Sequence, residues 1–545
     1  MNTLIRVGLS TCGLAAGAEA VYLALNEQIR RRNLPVSLQR TGCLGACHRE
    51  PLVEVLHDSA STLFGPVRAA DVEPLLTFFF GQERVPVDPG RVVSHRADRT
   101  DFPFLGRQVK VTTQLCGRID PHSLDDYLAH DGYAALRQAL TIPPDDIIAA
   151  VKAARLRGRG GAGFSTGQKW ALSRQQPGQR KFIICNADEG DPGAFMDRTM
   201  IEGDPHRVLE GMLIAGYAIG ASRGYLYVRA EYPLAVKALS EAIVQARAAG
   251  FVGKNILGSG MDFEFVVKEG AGAFVCGEET ALMRSIEGKR GMPTMRPPYP
   301  SVSGLWGFPT NINNVETYAS VPSILLNGPD WFARMGSERS GGTKAFALAG
   351  AVKYSGLVEV PIGMTLREMI YDIGGGCRGD RAFKAVQLGG PSGGCIPADL
   401  LDTRIDYEDL RATGAIMGSG GMIVADETTC MVDIARFFLT FTQEESCGKC
   451  LPCRVGTRKL LNILTAITQG QGAADDLDRL ERLCETVHKG SLCGLGQTAP
   501  NPVLTTMRYF GDEYRAHVLD HECPAGSCSF HGSPEAERRH GNHHD

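Results

Sequence analysis

Apolar positions follow two rhythms along this chain, and the places where the rhythm changes divide it. The short apolar run at 5–9 predicts a strand, and between 17 and 32 Val21, Leu25 and Ile29 recur every fourth position, one helical stripe able to cover a small sheet. Further strands at 35–38 and 52–56 bracket a cysteine loop, so residues 1–80 read as a small α/β module. Residues 81–123 carry Pro86, Pro89 and Pro103 among many charges and read as a linker wrapped over its neighbours. From 124 to 328 helical and strand patterns alternate, with β-rich runs KFIICNA (181–187), GYLYVRAEY (224–232) and FEFVVKEG (263–270), which is α/β architecture.

Two strands, AFALAG (345–350) and GLVEVP (356–361), then flank a polar turn, and Thr365 with Glu368 makes a capping-box start for a helix through Ile373. With the short apolar runs around Val386 and Ile423, this predicts a small β-grasp (ubiquitin-like) domain over 329–427. Beyond Thr428, Met431, Ile434, Phe438 and Phe441, and later Leu477, Leu480, Leu483 and Val487, recur at helical spacing. They predict a helical bundle over 428–515, followed by a Cys/His tail at 516–545. The fold class expected is multidomain α/β: a thioredoxin-like N-terminal module, an α/β cofactor domain, the β-grasp domain and the C-terminal helical bundle.

Composition narrows the function. A chain of 545 residues corresponds to roughly three to five domains. With 57 Lys and Arg against 61 Asp and Glu the net charge is −4, without the basic footprint of a non-specific nucleic-acid binder. No window reaches about 18 uncharged apolar residues, and Arg6 interrupts the apolar start at Leu4 and Ile5. A cytoplasmic protein without membrane insertion is expected. The 65 glycines cluster where backbone must approach something closely, which favours a cofactor protein. The 16 cysteines are too dilute for a disulfide scaffold, so their spacing carries the information.

In ESCGKCLPCR (445–454) Cys447, Cys450 and Cys453 stand at C-x2-C-x2-C, and Cys493 follows in SLCGLG. Three thiolates in one tight loop and one remote thiolate can wrap a cube, because each sulfur reaches a different iron corner, so a 4Fe-4S cluster is the natural reading. Structural zinc usually takes two separated C-x2-C pairs instead. Cys116, Cys377, Cys395 and Cys430 stand isolated and read as core residues.

RGRGGAGFSTGQKW (157–170) contains G-x-G-x-x-G at Gly158, Gly160 and Gly163, but the preceding 145–157 has helical rather than strand periodicity, so the standard dinucleotide fingerprint fails. The domain is therefore read as non-classical Rossmann-like. Its glycines either let the backbone pass against a planar ring or phosphate, with Lys169 as a nearby cation, or make an ordinary tight turn. CNADEGDPGAF (185–195) puts Asn186, Asp188, Glu189 and Asp191 at the end of an apolar strand, where ligands sit and where acids suit ribose hydroxyls. Glu278 and Glu279 follow a second glycine-rich stretch (270–277) and read equally as ligand groups or as acids at a helix N-terminus.

These runs, together with EGKRGMP, GLWGFPTNINNVET and SLCGLGQTAPNP, resemble in order and spacing the NADH-binding flavoprotein subunit of respiratory complex I. They resemble more closely the diaphorase subunits of soluble NAD-linked hydrogenases and formate dehydrogenases, over roughly 125–514. The resemblance implies FMN held by Gly158, Arg159, Gly160, Gly161, Gly163, Lys169, Asn186, Asp188, Glu189, Phe274, Glu278, Asn313 and Asn314. It implies NADH stacked over the flavin by Phe164, with Arg296 and Tyr299 of RPPYP at the adenine end and Glu279 and Asp191 on nicotinamide or ribose. Hydride transfer to FMN needs no obligate protein acid or base, and electrons then pass singly to the 4Fe-4S cluster and on to other subunits of a multi-subunit redox complex, among them a 2Fe-2S thioredoxin-like subunit and an iron-sulfur catalytic subunit. Here Asp191, Phe274, Arg296 and Tyr299 stand where complex I members often carry Glu, Tyr, Lys and Phe.

Related thioredoxin-like ferredoxins bind 2Fe-2S through C-x4-C and C-x3-C pairs. This chain keeps Cys43 and Cys47 of the second pair and only Cys12 of the first, with Val7 at the missing position. The alternatives are a 2Fe-2S cluster with a non-cysteine fourth ligand or a cluster-free docking domain. At the other end, Cys523 and Cys528 of HECPAGSC, with His517 and Cys484, make a candidate Cys3His zinc set, against a pair of free thiols or the stub of a ferredoxin-like extension. The polar, His-rich stretch after it reads as disordered.

Overall fold

The computed structural model describes residues 3–57, 60–81, 88, 91–178, 180–528 and 530. Its N-terminal sheet has the order β2-β1-β3-β4-β5, built from β1 (Thr3–Gly8), β2 (Val36–Thr41), β3 (Val53–His57), β4 (Ala60–Phe64) and β5 (Val92–Ser94). β1 and β2 are parallel and the remaining pairs antiparallel. Helix Ala18–Arg31 is the crossover between the parallel pair, and its stripe of Val21, Leu25 and Ile29 is buried together with Leu75 and Leu76 of helix Val72–Phe80.

The second sheet is all parallel, with β6 (Phe182–Ala187), β7 (Arg223–Arg229), β8 (Glu264–Gly270) and β9 (Thr310–Asn314) in the order β8-β7-β6-β9. Nearly every side chain of β6 is buried, as expected of a strand covered on both faces. The chain steps outward through β7 and β8, then returns to the other side of β6 as β9, so strand order reverses between β6 and β9. Helix Pro205–Ile219, buried almost end to end, packs with helix Val315–Asn327 in the same core.

The third sheet has the order β11-β10-β14-β12-β13, from β10 (Thr343–Gly350), β11 (Gly356–Pro361), β12 (Phe383–Leu388), β13 (Gly394–Pro397) and β14 (Gly421–Asp426). Only the β10–β14 pair is parallel. The Thr365 capping box forms: Glu368 accepts from the Thr365 N–H at 2.8 Å while the Thr365 hydroxyl faces the Glu368 N–H at 3.2 Å. The segment it opens, Glu368–Ile373, is wound as a π-helix. Pro86 and Pro89 of the linker lie outside the described residues. Pro103 opens a short helix, Pro103–Gly106, and the N–H groups of Val111, Thr112 and Thr113 donate to the fully buried carboxylate of Glu359 on β11 at 3.0, 2.9 and 2.9 Å.

Helices Met431–Glu444, Leu451–Thr468, Asp476–Gly490 and Asn501–Tyr509 form the C-terminal bundle. The first sheet's module docks on the second through helix Met196–Gly203. Thr11 donates through its N–H and hydroxyl to Glu202 at 2.9 and 2.6 Å, and a Cβ on Gly42 would stand 2.4 Å from the Gly203 Cα, so two bare backbones touch. No helix among the described residues is long and apolar enough to cross a membrane.

Candidate functional site

In open parallel sheets ligands bind beyond the carboxyl ends of the strands, where strand order reverses. Here that point lies between β6 and β9, and Asn186 and Asn314 are register partners across it. The glycine loop lies over this crevice, between helix Pro144–Ala153 and helix Thr166–Arg174, which explains why no strand precedes it. Its glycines divide into two kinds. Gly163 has φ +67° and a Cβ there would reach 2.4 Å from the Tyr407 ring, while Gly161, at φ +120°, would press on Gly418 at 3.1 Å. Gly158 and Gly160 keep ordinary negative φ, and the nearest atoms to a built Cβ are the Phe164 carbonyl at 3.6 Å and the Asn314 Cβ at 3.2 Å. Protein packing leaves Gly158 free to carry a Cβ and restricts Gly160 only through the Asn314 side chain, whereas a ring or phosphate lying against the backbone would require both to be glycine.

The polar groups around the crevice are ordered by one another. Asn186 donates to the Gly277 carbonyl at 2.9 Å and accepts from the Asp188 N–H at 3.1 Å. Asp188 Oδ2 is buried without a hydrogen-bond partner among the described residues, and burial pushes this carboxyl up to about 7 despite Arg229 nearby. Leaving a buried polar oxygen unsatisfied costs about 1–3 kcal/mol, which a ligand with a polar edge would recover. Lys169 pairs with Glu279 and donates to the Ile312 carbonyl at 2.7 Å. Arg296 lies 3.6 Å from Glu279 and 3.9 Å from Glu278. Glu278 also caps helix Glu279–Ile286 by accepting from the Thr280 and Ala281 N–H groups, which is its helix-terminus reading. Phe164 is 50% and Tyr299 58% exposed, leaving aromatic faces open to a planar partner.

Several of the expected flavin residues turn their side chains into the protein. Arg159 is fully buried and donates to the Gly341 and Arg157 carbonyls at 2.7 and 3.1 Å. Glu189 accepts from the N–H groups of Asp197 and Arg198 at the start of helix Met196–Gly203, and burial raises its pKa. Asn313 is held by Trp170 and Asn311, and the Phe274 ring packs on Phe441. Asp191 accepts from the Ser419 hydroxyl at 2.5 Å, and burial pushes it up to about 6. Asp197, which no motif marked, takes a hydrogen bond from Asn314 at 2.6 Å and so props the floor of the crevice.

Cys447, Cys450, Cys453 and Cys493 line one cavity with Val275, Pro293, Lys449, Leu492 and Leu495. Cys450 stands at the N-cap position of helix Leu451–Thr468 and Cys493 at that of helix Gly494–Thr498. The Leu492 N–H lies 3.5 Å from Cys450 Sγ and the Ser446 hydroxyl 3.2 Å from Cys453 Sγ. Burial pushes the free Cys453 thiol up to about 11, a proton that an iron ion would displace. Val275 lines this cavity while Gly277, two residues on, bonds Asn186. Two peptide steps span at most about 7.6 Å, so one short segment walls both sites.

Cys12, Cys43 and Cys47 come together: Cys47 Sγ lies 3.7 Å from Cys12 Sγ and 3.9 Å from Cys43 Sγ. Hydrogen bonds from the other two thiols, with Arg198 assisting, hold Cys12 well below an ordinary thiol. Val7 is buried in the module's apolar core. Beside the trio lies the Glu50 carboxylate, which accepts from Cys43 Sγ at 3.7 Å and is pushed up to about 7 by burial.

The zinc set expected from sequence is corrected by the structure. His517, Cys523 and Cys528 do meet, but the fourth member is Cys430. Cys484 falls on the buried stripe of helix Asp476–Gly490 with Leu480 and Val487 and faces the apolar core. Cys430 is thus no isolated core residue; it caps helix Met431–Glu444. The His-rich stretch beyond lies outside the described residues.

Residues 151–323 match the Nuo51 FMN-binding domain, and 433–517 match the NADH-ubiquinone oxidoreductase-F iron-sulfur binding region. The chain is 57% identical over 423 residues to the NADP-reducing hydrogenase subunit HndC of Solidesulfovibrio fructosivorans, covering 78% of this chain and 86% of that protein. It is 45% identical over 423 residues to the F 2 subunit of the NADH-quinone oxidoreductase of Rhizobium meliloti (strain 1021), covering 77% and 99% respectively. A crystal structure of an NAD+-reducing NiFe hydrogenase in the H2-reduced state superposes with a TM-score of 0.68 at 31% identity, covering 100% of this chain and 88% of that one.

Proposed function

Since this chain belongs to the family of FMN- and 4Fe-4S-containing flavoproteins shared by NADH-quinone oxidoreductases and NAD(P)-reducing hydrogenases, we propose that it is the diaphorase subunit of an NAD-linked hydrogenase or formate dehydrogenase type complex, working in the cytoplasm. The observation that favours this over a complex I subunit is coverage. The hydrogenase structure is matched along the whole chain, whereas 77% of this chain accounts for 99% of the quinone-oxidoreductase relative, which leaves about a quarter of this chain without a counterpart there. We read that module as thioredoxin-like, supported by its parallel β1–β2 crossover, and 329–427 as β-grasp, supported by the parallel β10–β14 pair flanked by antiparallel strands.

The chemistry supplied by bound FMN and 4Fe-4S is the conversion of a two-electron hydride transfer into one-electron steps. The chain's own residues bind and orient. Gly158 and Gly160 offer bare backbone, Lys169 is fixed between Glu279 and a strand carbonyl, and Asp188 presents a carboxyl that can donate or accept. Phe164 and Tyr299 offer stacking faces. Glu278 and Glu279, with Arg296 shared between them, make the nucleotide side acidic, which suits ribose hydroxyls and disfavours a 2′-phosphate.

Purified chain should therefore contain FMN and reduce ferricyanide with NADH, at a kcat/KM well above that with NADPH. Cys493→Ser should lose the low-temperature EPR signal seen after dithionite reduction yet keep part of the ferricyanide activity, since that acceptor draws from flavin directly. A full EPR signal in the variant would remove Cys493 from the cluster, and equal use of both nucleotides would refute the acidic-pocket reading.

A further inference from the structure

We propose that Cys430, His517, Cys523 and Cys528 form a closed structural zinc site that fastens the loop at 521–528 to the helical bundle. The donors come from three places: the N-cap of helix Met431–Glu444, the turn Ala516–Asp520, and the loop itself. All four ligand atoms lie within 4.8 Å of one another. A tetrahedral zinc with bonds of about 2.3 Å to sulfur and about 2.0 Å to nitrogen has edges of about 3.8 Å between sulfurs and about 3.5 Å between nitrogen and sulfur. Cys430 and Cys528 Sγ are 3.6 Å apart, and His517 Nε2 is 3.4 Å from each of them. One ion of ordinary bond length fits these edges without backbone movement.

The surroundings prepare the ligands. His517 Nδ1 lies 2.7 Å from the Glu513 carbonyl oxygen, which can only accept, so Nδ1 keeps its proton and the Nε2 lone pair faces the thiols. The Asp433 N–H donates to Cys430 Sγ at 3.4 Å, as an amide does to a thiolate. Glu513 itself is anchored, accepting from the Met431 N–H at 3.0 Å and pairing with Lys384 at 2.6 Å. Three thiolates and one imidazole leave no open position, the pattern of structural rather than catalytic zinc, and an ion without redox chemistry does not intercept electrons in a bundle that also holds an iron-sulfur cluster. On binding, each of the three thiols gives up its proton to solvent and the metal takes its place.

The loop needs such a fastener. Of residues 521–528 only Cys523 is buried, and Gly526 turns the chain at φ +63°. Besides its two sulfurs it is held by the Glu522 N–H on the Ala516 carbonyl at 3.1 Å and by Ala525 against the bundle core.

Metal analysis of the full chain, purified without chelators, should find about one zinc per chain in addition to the iron. The Cys523→Ser, Cys528→Ser double variant, altered in a surface loop, and Cys430→Ser should both lose that zinc. Each should keep flavin and cluster iron, which reports that the rest is folded. Cys484→Ser should keep the zinc. Cobalt(II) grown in place of zinc should give the intense visible absorption of tetrahedral thiolate coordination, absent in the double variant. Zinc below about a tenth of an equivalent, iron in its place, or zinc lost in Cys484→Ser and retained in Cys430→Ser would each overturn the proposal.

Discussion

Gly158 has room for a Cβ, and Gly160 is tight only against the Asn314 side chain, 3.2 Å from a built Cβ, unlike Gly163, whose Cβ would enter the Tyr407 ring. Gly160→Val should consequently leave the fold intact and remove the flavin, because the isopropyl group would occupy the space over Asn314. Absorbance at the flavin bands and circular dichroism of the same sample check both halves; a folded, fully yellow variant would place the flavin elsewhere. Asp188 makes a second residue-scale prediction. Its folded pKa of about 7 lies above the 3.8 of an ordinary carboxyl, so its contribution to stability is fully present below about pH 4 and is lost as pH rises through about 7. Full ionisation costs on the order of 4 kcal/mol. Flavin-free protein should lose Tm between pH 5 and 8 more steeply than flavin-free Asp188→Asn, by a few degrees. Parallel slopes would exclude Asp188 as a buried titrating group. Asp191 and Asp204 act with the same sign, pushed up by burial to about 6 and about 7, so the variant should flatten the fall without abolishing it.

At the scale of elements, the bent segment 111–113 is anchored by one side chain. Glu359 takes three backbone N–H groups and the hydroxyls of Thr113 and Thr343. Glu359→Ala strands those donors in the interior at about 1–3 kcal/mol each, not additively. Trypsin should then cut at Arg107 or Lys110 in the variant and spare the parent; unchanged cleavage would show that the strap is held by other contacts. Elements of this kind also mark the limit of what a sequence discloses. The stripe of Val21, Leu25 and Ile29 and the Thr365 capping box were legible because helix faces and caps are set by residues three or four apart. β4 and β5 were not, since short half-buried strands announce themselves only through partners. The 4Fe-4S thiolates were legible from three ligands in seven residues, whereas Cys430 meets His517 across 87 positions and carries no local sign. Motif reading likewise found Arg159, Glu189 and Asn313, but which way a side chain turns at a strand end depends on distant groups such as Gly341, Arg198 and Trp170.

For the molecule as a whole, the seam between the N-terminal module and the parallel-sheet domain is polar and narrow. Glu202→Ala removes the acceptor for both Thr11 donors, worth about 1–3 kcal/mol, so amide exchange in helix Thr11–Ala15 should quicken by roughly tenfold or more while the bundle helices keep their protection. Exchange unchanged in that helix would mean that the module's other contacts, among them Gly42 on Gly203, Gln39 on Asp126 and the Leu357 N–H on the Gly45 carbonyl, secure it without Glu202. The same seam is one end of helix Met196–Gly203, whose other end is capped by Glu189 and carries Asp197 beneath the crevice. Eight residues at 1.5 Å each make a rod of about 12 Å that joins the floor of the crevice to the seam, with Arg198 of the same helix beside Cys12. Such a rod is a lever: a shift of the N-terminal module at Glu202 is carried to Asp197 beneath the crevice, because both residues sit on one short helix.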